Sequence, residues 1–112
     1  MSDPLGDPLG EERAAALAQI AALTREFDEV VAASKASNAD DEHDPEGATI
    51  GFERAQLSAL IDQAETRRAD LERALQQVRD GGYGVCERCG GPIGAERLEA
   101  RPAARTCIGC AS

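Results

Sequence analysis

Two Cys-x-x-Cys pairs in the last quarter of the chain constrain its fold more than any other feature. The first pair is Cys86 and Cys89, and the second, 17 residues further on, is Cys107 and Cys110. Two such pairs at this spacing are typical of a zinc site, because they supply the four tetrahedral ligands that Zn²⁺ prefers. Four thiolates leave no position open for water. We therefore expect one structural Zn²⁺, which stabilises a finger over residues 81–112.

Two disulfides are the alternative interpretation of the same four cysteines. Disulfides require an oxidising compartment, and the opening residues Met1-Ser2-Asp3-Pro4 carry neither basic residues nor an apolar run typical of a secretory signal. No stretch approaches the 18 apolar residues that predict a membrane span. The sequence therefore favours zinc over disulfides and a cytoplasmic protein.

The rest of the chain is composed like a helical element. The full chain of 112 residues has only 3% aromatic residues and no Trp, which is too little for a large globular core. Apolar residues alternate at spacings of three and four between Glu11 and about Lys35: Leu17, Ile20, Thr24, Phe27, Val31 and Ser34, widened by Leu23 and Val30. A second helix is predicted from about Gly51 to Asp80, with a seven-residue repeat of Leu57, Ala64, Leu71 and Val78 and support from Leu60, Ile61, Ala74 and Leu75. We expect an all-α fold in which the two helices, residues 11–80, form an antiparallel coiled-coil hairpin.

Residues 1–10 contain Asp-Pro-Leu-Gly twice in succession, which predicts a flexible tail. The segment that connects the helices, 37–48, is acidic and contains no Lys or Arg. The simplest interpretation is a solvated loop in which Asp44 caps a helix that Pro45 begins, with His43 exposed among the acids. A tip that meets a basic surface or a divalent cation is the alternative.

Charge is distributed unevenly along the chain. Residues 1–80 hold 18 acids and 8 bases, a formal charge of −10, whereas residues 81–112 hold 3 acids and 4 Arg, a formal charge of +1. A duplex-binding module is expected to present a basic face, so the sequence favours a protein partner over direct DNA binding. It contains no Cys/His dyad, Ser/His/Asp set or phosphate loop, which indicates a protein that is not an enzyme.

The finger and the hairpin together resemble the DksA/TraR family. The resemblance rests on Tyr83-Gly84-Val85-Cys86-Glu87-Arg88-Cys89-Gly90, Pro92-Ile93, Arg97-Leu98-Glu99-Ala100-Arg101-Pro102 and Cys107-Ile108-Gly109-Cys110. It implies a bacterial transcription regulator that binds RNA polymerase, inserts its hairpin into the secondary channel and modulates initiation without direct promoter binding. Guanosine tetraphosphate is a second partner that the resemblance implies.

The family's tip motif, D-x-x-D-x-A, is matched by Asp41 and Asp44, which the resemblance makes the partner-binding acids. Glu46 stands where the motif has Ala, and Ala48 lies two residues further on. A functional alternative from another class is a zinc-stapled structural adaptor that binds a different protein through the hairpin. Retention of RNA polymerase distinguishes the two.

Overall fold

The computed structural model describes residues 6–37 and 45–111. It contains two long helices, α1 (Gly6–Ser37) and α2 (Pro45–Asp80), and a short helix, α3 (Ala95–Ala100). Within these residues the β pairing is limited to one isolated antiparallel bridge between Val85 and Pro92. The predicted all-α class is confirmed. Asp41, His43 and Asp44 lie outside the described residues.

The chain divides into two compact units. One comprises the described residues of Met1–Ala15 and Arg68–Ser112, and the other is Ala16–Arg67. The start of α1 thus packs with the end of α2, and the remainders of the two helices pack together, which is the antiparallel pairing of a hairpin. The unit that holds the four cysteines therefore includes helical residues from both arms as well as the predicted finger.

Within the predicted flexible tail, residues 6–10 are helical, because α1 begins at Gly6 and not at Glu11, and residues 1–5 lie outside the described residues. Pro8 is compatible with this start, since the first N–H groups of a helix have no intrahelical acceptor to lose. Leu9 is completely buried. Its burial stabilises a first helical turn that composition alone disfavours.

The buried stripe of α1 is displaced by one position from part of the predicted seam. Leu17 is 39% exposed and Thr24 is exposed, whereas Ala16 is only 2% exposed and Leu23 is half-buried. A seven-residue repeat of Leu9, Ala16, Leu23 and Val30 describes the buried face, with Ile20, Phe27 and Ser34 between its members.

Helix α2 follows its predicted repeat closely. Ala64 and Leu71 are buried, Leu57 and Val78 are half-buried, and the helix begins at Pro45, six residues before the predicted start. It ends as predicted before Gly81, which has a φ of 83°, while the Gly82 N–H donates to the Gln77 carbonyl at 2.9 Å. This is a Schellman ending, in which a left-handed glycine closes the last turn. Among the described residues, no helix is long and apolar enough to cross a membrane.

Candidate metal centre

The first cysteine pair lies on a tight turn that a short β pairing closes. The Cys86 N–H donates to the Gly91 carbonyl at 2.8 Å, and the Gly90 N–H donates back to the Cys86 carbonyl at 2.9 Å. Gly90 has a φ of 74°, a left-handed conformation that a residue with a Cβ adopts only at a cost. The Cys-x-x-Cys-Gly spacing therefore brings Cys86 and Cys89 to the same side of the turn.

The second pair lies on a turn of its own. The N–H groups of Cys110 and Ala111 both donate to the Cys107 carbonyl at 3.0 Å. Across the two turns, the Glu87 N–H donates to the Arg105 carbonyl at 2.9 Å. This hydrogen bond ties the first pair to the segment that leads into the second.

All four sulfurs converge on one point. One Sγ atom from each of Cys86, Cys89, Cys107 and Cys110 lies within 4.8 Å of the others, and the Sγ atoms of Cys89 and Cys107 are 3.8 Å apart. A Zn–S distance of about 2.3 Å in a tetrahedron gives sulfur separations of about 3.8 Å, so the cluster has the dimensions of a zinc site. The cysteines are free thiols and not disulfides. The predicted single structural Zn²⁺ is confirmed, and the four cysteines are placed so that they could hold it.

The surroundings prepare the thiols unequally for metal binding. Hydrogen bonds from the backbone of Cys89 and Cys107 lower the pKa of the buried Cys86 thiol to about 6. Hydrogen bonds with the Cys107 and Cys86 side chains raise the pKa of Cys110 to about 12. A divalent ion among the four sulfurs favours their thiolate forms, because its positive charge offsets the repulsion between them.

Several polar side chains hold the segment that precedes the second pair, although periodicity did not identify them. Tyr83 Oη donates to the Pro102 carbonyl at 2.8 Å, Arg73 Nη2 donates to Ala103 at 3.1 Å, and Arg97 Nε donates to Thr106 at 2.7 Å. Burial, assisted by the charge of Glu12, raises the pKa of Tyr83. The residues in each contact are 9 to 30 positions apart in the sequence, so no local repeat predicts them. Tyr83 and Arg97 belong to the motif on which the family resemblance rests, and that motif was the only sequence signal for them. No repeat pointed to Arg73.

An ion pair network joins α2 to the first cysteine turn. Glu87, between Cys86 and Cys89, accepts from Arg105 Nε at 3.0 Å and lies 3.5 Å from Arg73 Nη1. Arg88 Nη1 donates to the Cys110 carbonyl at 3.2 Å. Arg88, Arg97 and Arg105 thus each make a contact within the finger.

The second unit contains an acidic cleft that sequence reasoning did not identify. Its volume is about 490 Å³, and it is lined by side chains from both helices: Glu26, Glu29, Val30, Glu53, Gln56, Leu57 and Leu60. Leu60 is 39% exposed, and Phe52 on the same helix is 70% exposed. The cleft therefore combines negative charge with accessible apolar surface.

Comparisons with known proteins identify relatives of the finger and of the fold. Residues 81–112 match the family described as the prokaryotic dksA/traR C4-type zinc finger. The RNA polymerase-binding transcription factor DksA of Salmonella typhimurium is 52% identical over 40 residues, which cover 36% of this chain and 26% of that relative. The protein of the same name from Caulobacter vibrioides is 59% identical over 34 residues, 30% of this chain and 24% of its own length. The matches therefore span about a quarter of these curated relatives.

The likeness extends further in three dimensions. The structure of transcription factor DksA2 from Pseudomonas aeruginosa superposes with a TM-score of 0.77 and 25% sequence identity, over 94% of this chain and 75% of that one. The helical hairpin and the finger are therefore shared, including the first helix, where the sequence resembles the family only by pattern. Residues 81–112 are therefore similar to the prokaryotic dksA/traR C4-type zinc finger, and the chain shares the fold of the DksA2 structure over 94% of its length.

Proposed function

We propose that this protein is a cytoplasmic transcription regulator that binds RNA polymerase through its secondary channel and modulates initiation without direct promoter binding. The observation that carries the proposal is the joint occurrence of a four-cysteine finger and a two-helix hairpin in one chain. Relatives of the finger are named as RNA polymerase-binding factors, and the structural neighbour is named as a transcription factor.

The charge distribution supports a protein partner. The chain has a formal charge of −9, and the cleft between α1 and α2 is lined by three glutamates. DNA phosphates are repelled by such a surface, whereas a basic protein surface is attracted to it. Phe52 and Leu60 add accessible apolar area, the kind of surface that contributes binding energy in protein interfaces.

Co-purification with core RNA polymerase tests the proposal against the adaptor alternative. The zinc-loaded chain, immobilised on resin, is expected to retain core polymerase from a purified preparation, with and without guanosine tetraphosphate. A Cys86→Ser/Cys89→Ser variant serves as the control with a disrupted finger. Failure of the zinc-loaded chain to retain polymerase under either condition would favour the adaptor.

Asp41 and Asp44 are proposed to act at the tip of the hairpin. Near a catalytic Mg²⁺, two carboxylates would alter the charge around the metal or compete for basic side chains. Asp41→Asn with Asp44→Asn removes this charge and keeps the side-chain shape. The variant is expected to lose its effect on transcription while its polymerase affinity stays within a few-fold of the unaltered protein. An in vitro transcription assay, run beside a binding titration, measures both. Unchanged regulation by the variant would favour the alternative interpretation of this segment as a solvated loop.

A further inference from the structure

Arg73 is a helix residue whose side chain packs against the finger without being a metal ligand. It lies on α2, 13 residues before the first cysteine, yet its side chain is only 25% exposed and reaches the finger. Nη2 donates to the Ala103 carbonyl at 3.1 Å, and Nη1 lies 3.5 Å from Glu87 Oε1. Among the residues that the structure describes, its buried Nε atom has no hydrogen-bond partner. Burial of a guanidinium with one donor unsatisfied is costly, so the remaining contacts must favour this position.

Of the three groups that the Arg73 guanidinium contacts, Gln77 Oε1 lies one turn further along α2, 3.3 Å from Nη1, and the other two belong to opposite halves of the metal site. Glu87 is the neighbour of Cys86, and Ala103 lies four residues before Cys107. Arg105 also connects the halves, because its Nε donates to Glu87 while its carbonyl accepts from the Glu87 N–H. Arg73 therefore holds both cysteine-bearing segments to one helix at the separation that four-sulfur ligation requires.

We propose that Arg73 is a positioning residue for the zinc site, through which metal occupancy and the attachment of the finger to α2 stabilise each other. The guanidinium touches no sulfur. It acts by holding Glu87 and Ala103 when the ion is bound, so its contacts add to the free energy of zinc binding. Linkage requires the reciprocal effect: zinc, by fixing the two halves, strengthens the contacts of Arg73 with the finger.

Arg73→Met is the variant that tests this role, because Met keeps the unbranched apolar part of the side chain and removes its donors. Residues that orient metal ligands change metal affinity by roughly 10- to 100-fold, and Arg73 acts one residue away from them, so we expect a loss of about tenfold. Zn²⁺ affinity is measured by competition with a chromogenic chelator. Arg73→Lys keeps the charge without the forked geometry and is expected to lose less.

The matched control is Arg79→Met. Arg79 is an exposed arginine on the same helix that, among the described residues, makes none of the hydrogen bonds to the finger. Its zinc affinity is expected to match that of the unaltered protein. The proposal is overturned if Arg73→Met binds zinc within twofold of the unaltered protein, or if Arg79→Met loses as much.

A second readout separates positioning from a general loss of stability. In excess chelator, helical unfolding of Arg73→Met is expected to follow that of the unaltered protein, because the metal-free finger no longer presents both acceptors together. With zinc bound, the variant should unfold at a lower temperature. The Co²⁺-substituted variant should keep the absorption spectrum of a tetrahedral four-sulfur site. If Arg73→Met lowers the unfolding temperature by the same amount with and without zinc, Arg73 stabilises the protein independently of the metal, and the proposal is overturned.

Discussion

At the scale of single residues, backbone geometry and a few side chains bring the four sulfurs of the zinc site together. Gly90 allows the first turn, amide groups lower the pKa of Cys86 to about 6, and side chains from outside the cysteine turns fix the approach to Cys107. Four convergent thiols form a site that a divalent cation completes. The residues of the finger thus depend on the metal far more than those of the helices do.

Metal removal is expected to unfold the finger and leave most of the helical signal. The purified protein should contain one zinc per chain by elemental analysis. If Cys86, Cys89, Cys107 and Cys110 hold the metal together, as proposed, chelation should expose the finger to protease, whereas circular dichroism should retain most of its helical amplitude. Two disulfides by mass in a zinc-free preparation would contradict this assignment.

Tyr83 provides a prediction for the dependence of stability on pH. Burial, followed by the charge of Glu12, raises its pKa above the ordinary value of 10.0, so the folded state holds the phenol proton more tightly than the unfolded state. This contribution is fully present below pH 10.0 and is lost as the pH rises through the folded-state pKa. Tyr83→Phe should flatten the alkaline loss of stability in urea titrations. Loss of the hydrogen bond to Pro102 should also cost about 1 kcal/mol at neutral pH.

An unchanged alkaline slope in Tyr83→Phe would assign that loss of stability to other groups. Arg97→Met, which removes a neighbouring hydrogen bond to the Thr106 carbonyl without removing the phenol, serves as the control. It should lower stability at neutral pH and keep the alkaline slope.

At the scale of secondary structure, the α1–α2 pairing depends on residues of different size and exposure along each helix. Leu9 and Leu71 are fully buried in one unit, and the small side chains of Ala16 and Ala64 are buried in the other. Alanine on a packed face lets neighbouring backbones approach closely. The helices are therefore held by narrow stripes, and few positions in them tolerate a change of volume.

Leu9→Ala should lower the free energy of unfolding by about 2–5 kcal/mol, because it leaves a cavity where a leucine is completely buried. Leu17→Ala is the matched control. With 39% of the Leu17 side chain exposed, its cost should be about 1 kcal/mol or less. Chemical denaturation measures the free energy of unfolding of both variants. Equal losses would support the sequence prediction that Leu17 lies on the packed face of α1.

Gly10→Ala should stabilise the protein by about 0.5–1 kcal/mol. Gly10 lies within α1, and a Cβ built there meets no atom within 4 Å, so alanine lowers the entropy of the unfolded chain without a clash. Gly90→Ala should do the opposite, because its φ of 74° disfavours any side chain. Thermal unfolding of the two variants should shift in opposite directions, and a destabilised Gly10→Ala would argue against a helix at that position.

Sequence reasoning recovered the parts of this architecture that depend on local spacing. The cysteine spacing predicted the metal, the repeat from Leu57 to Val78 predicted the buried face of α2, and Gly81 predicted its end. The burial of Leu9 was not predicted, because Pro8 and Gly10 on either side of it disfavour helix and packing against distant residues stabilises this turn. The seven-residue spacing of Leu9, Ala16 and Leu23 was the sequence signal that could have predicted it. Arg73 could not be predicted, because no periodicity encodes a contact with a carbonyl 30 residues away.

At the scale of the whole molecule, charge and metal are separated along the chain. The formal charge of −10 lies in residues 1–80, while residues 81–112 carry +1 before the metal and its thiolates are counted. The negative charge of residues 1–80 attracts a basic protein surface and repels DNA phosphates. The finger stabilises the end of the chain, and the acidic segment that contains Asp41 and Asp44 is the part proposed to act within polymerase.

Cross-linking from the acidic segment to RNA polymerase tests this account most directly. A photoreactive amino acid replaces Asn38, next to the acids but outside the proposed motif, and the zinc-loaded protein is irradiated with core polymerase. Mass spectrometry then identifies the attached polymerase residues. The account predicts cross-links to residues that line the secondary channel near the catalytic Mg²⁺. Cross-links confined to the outer surface of polymerase, or none above the level of a non-irradiated sample, would contradict it.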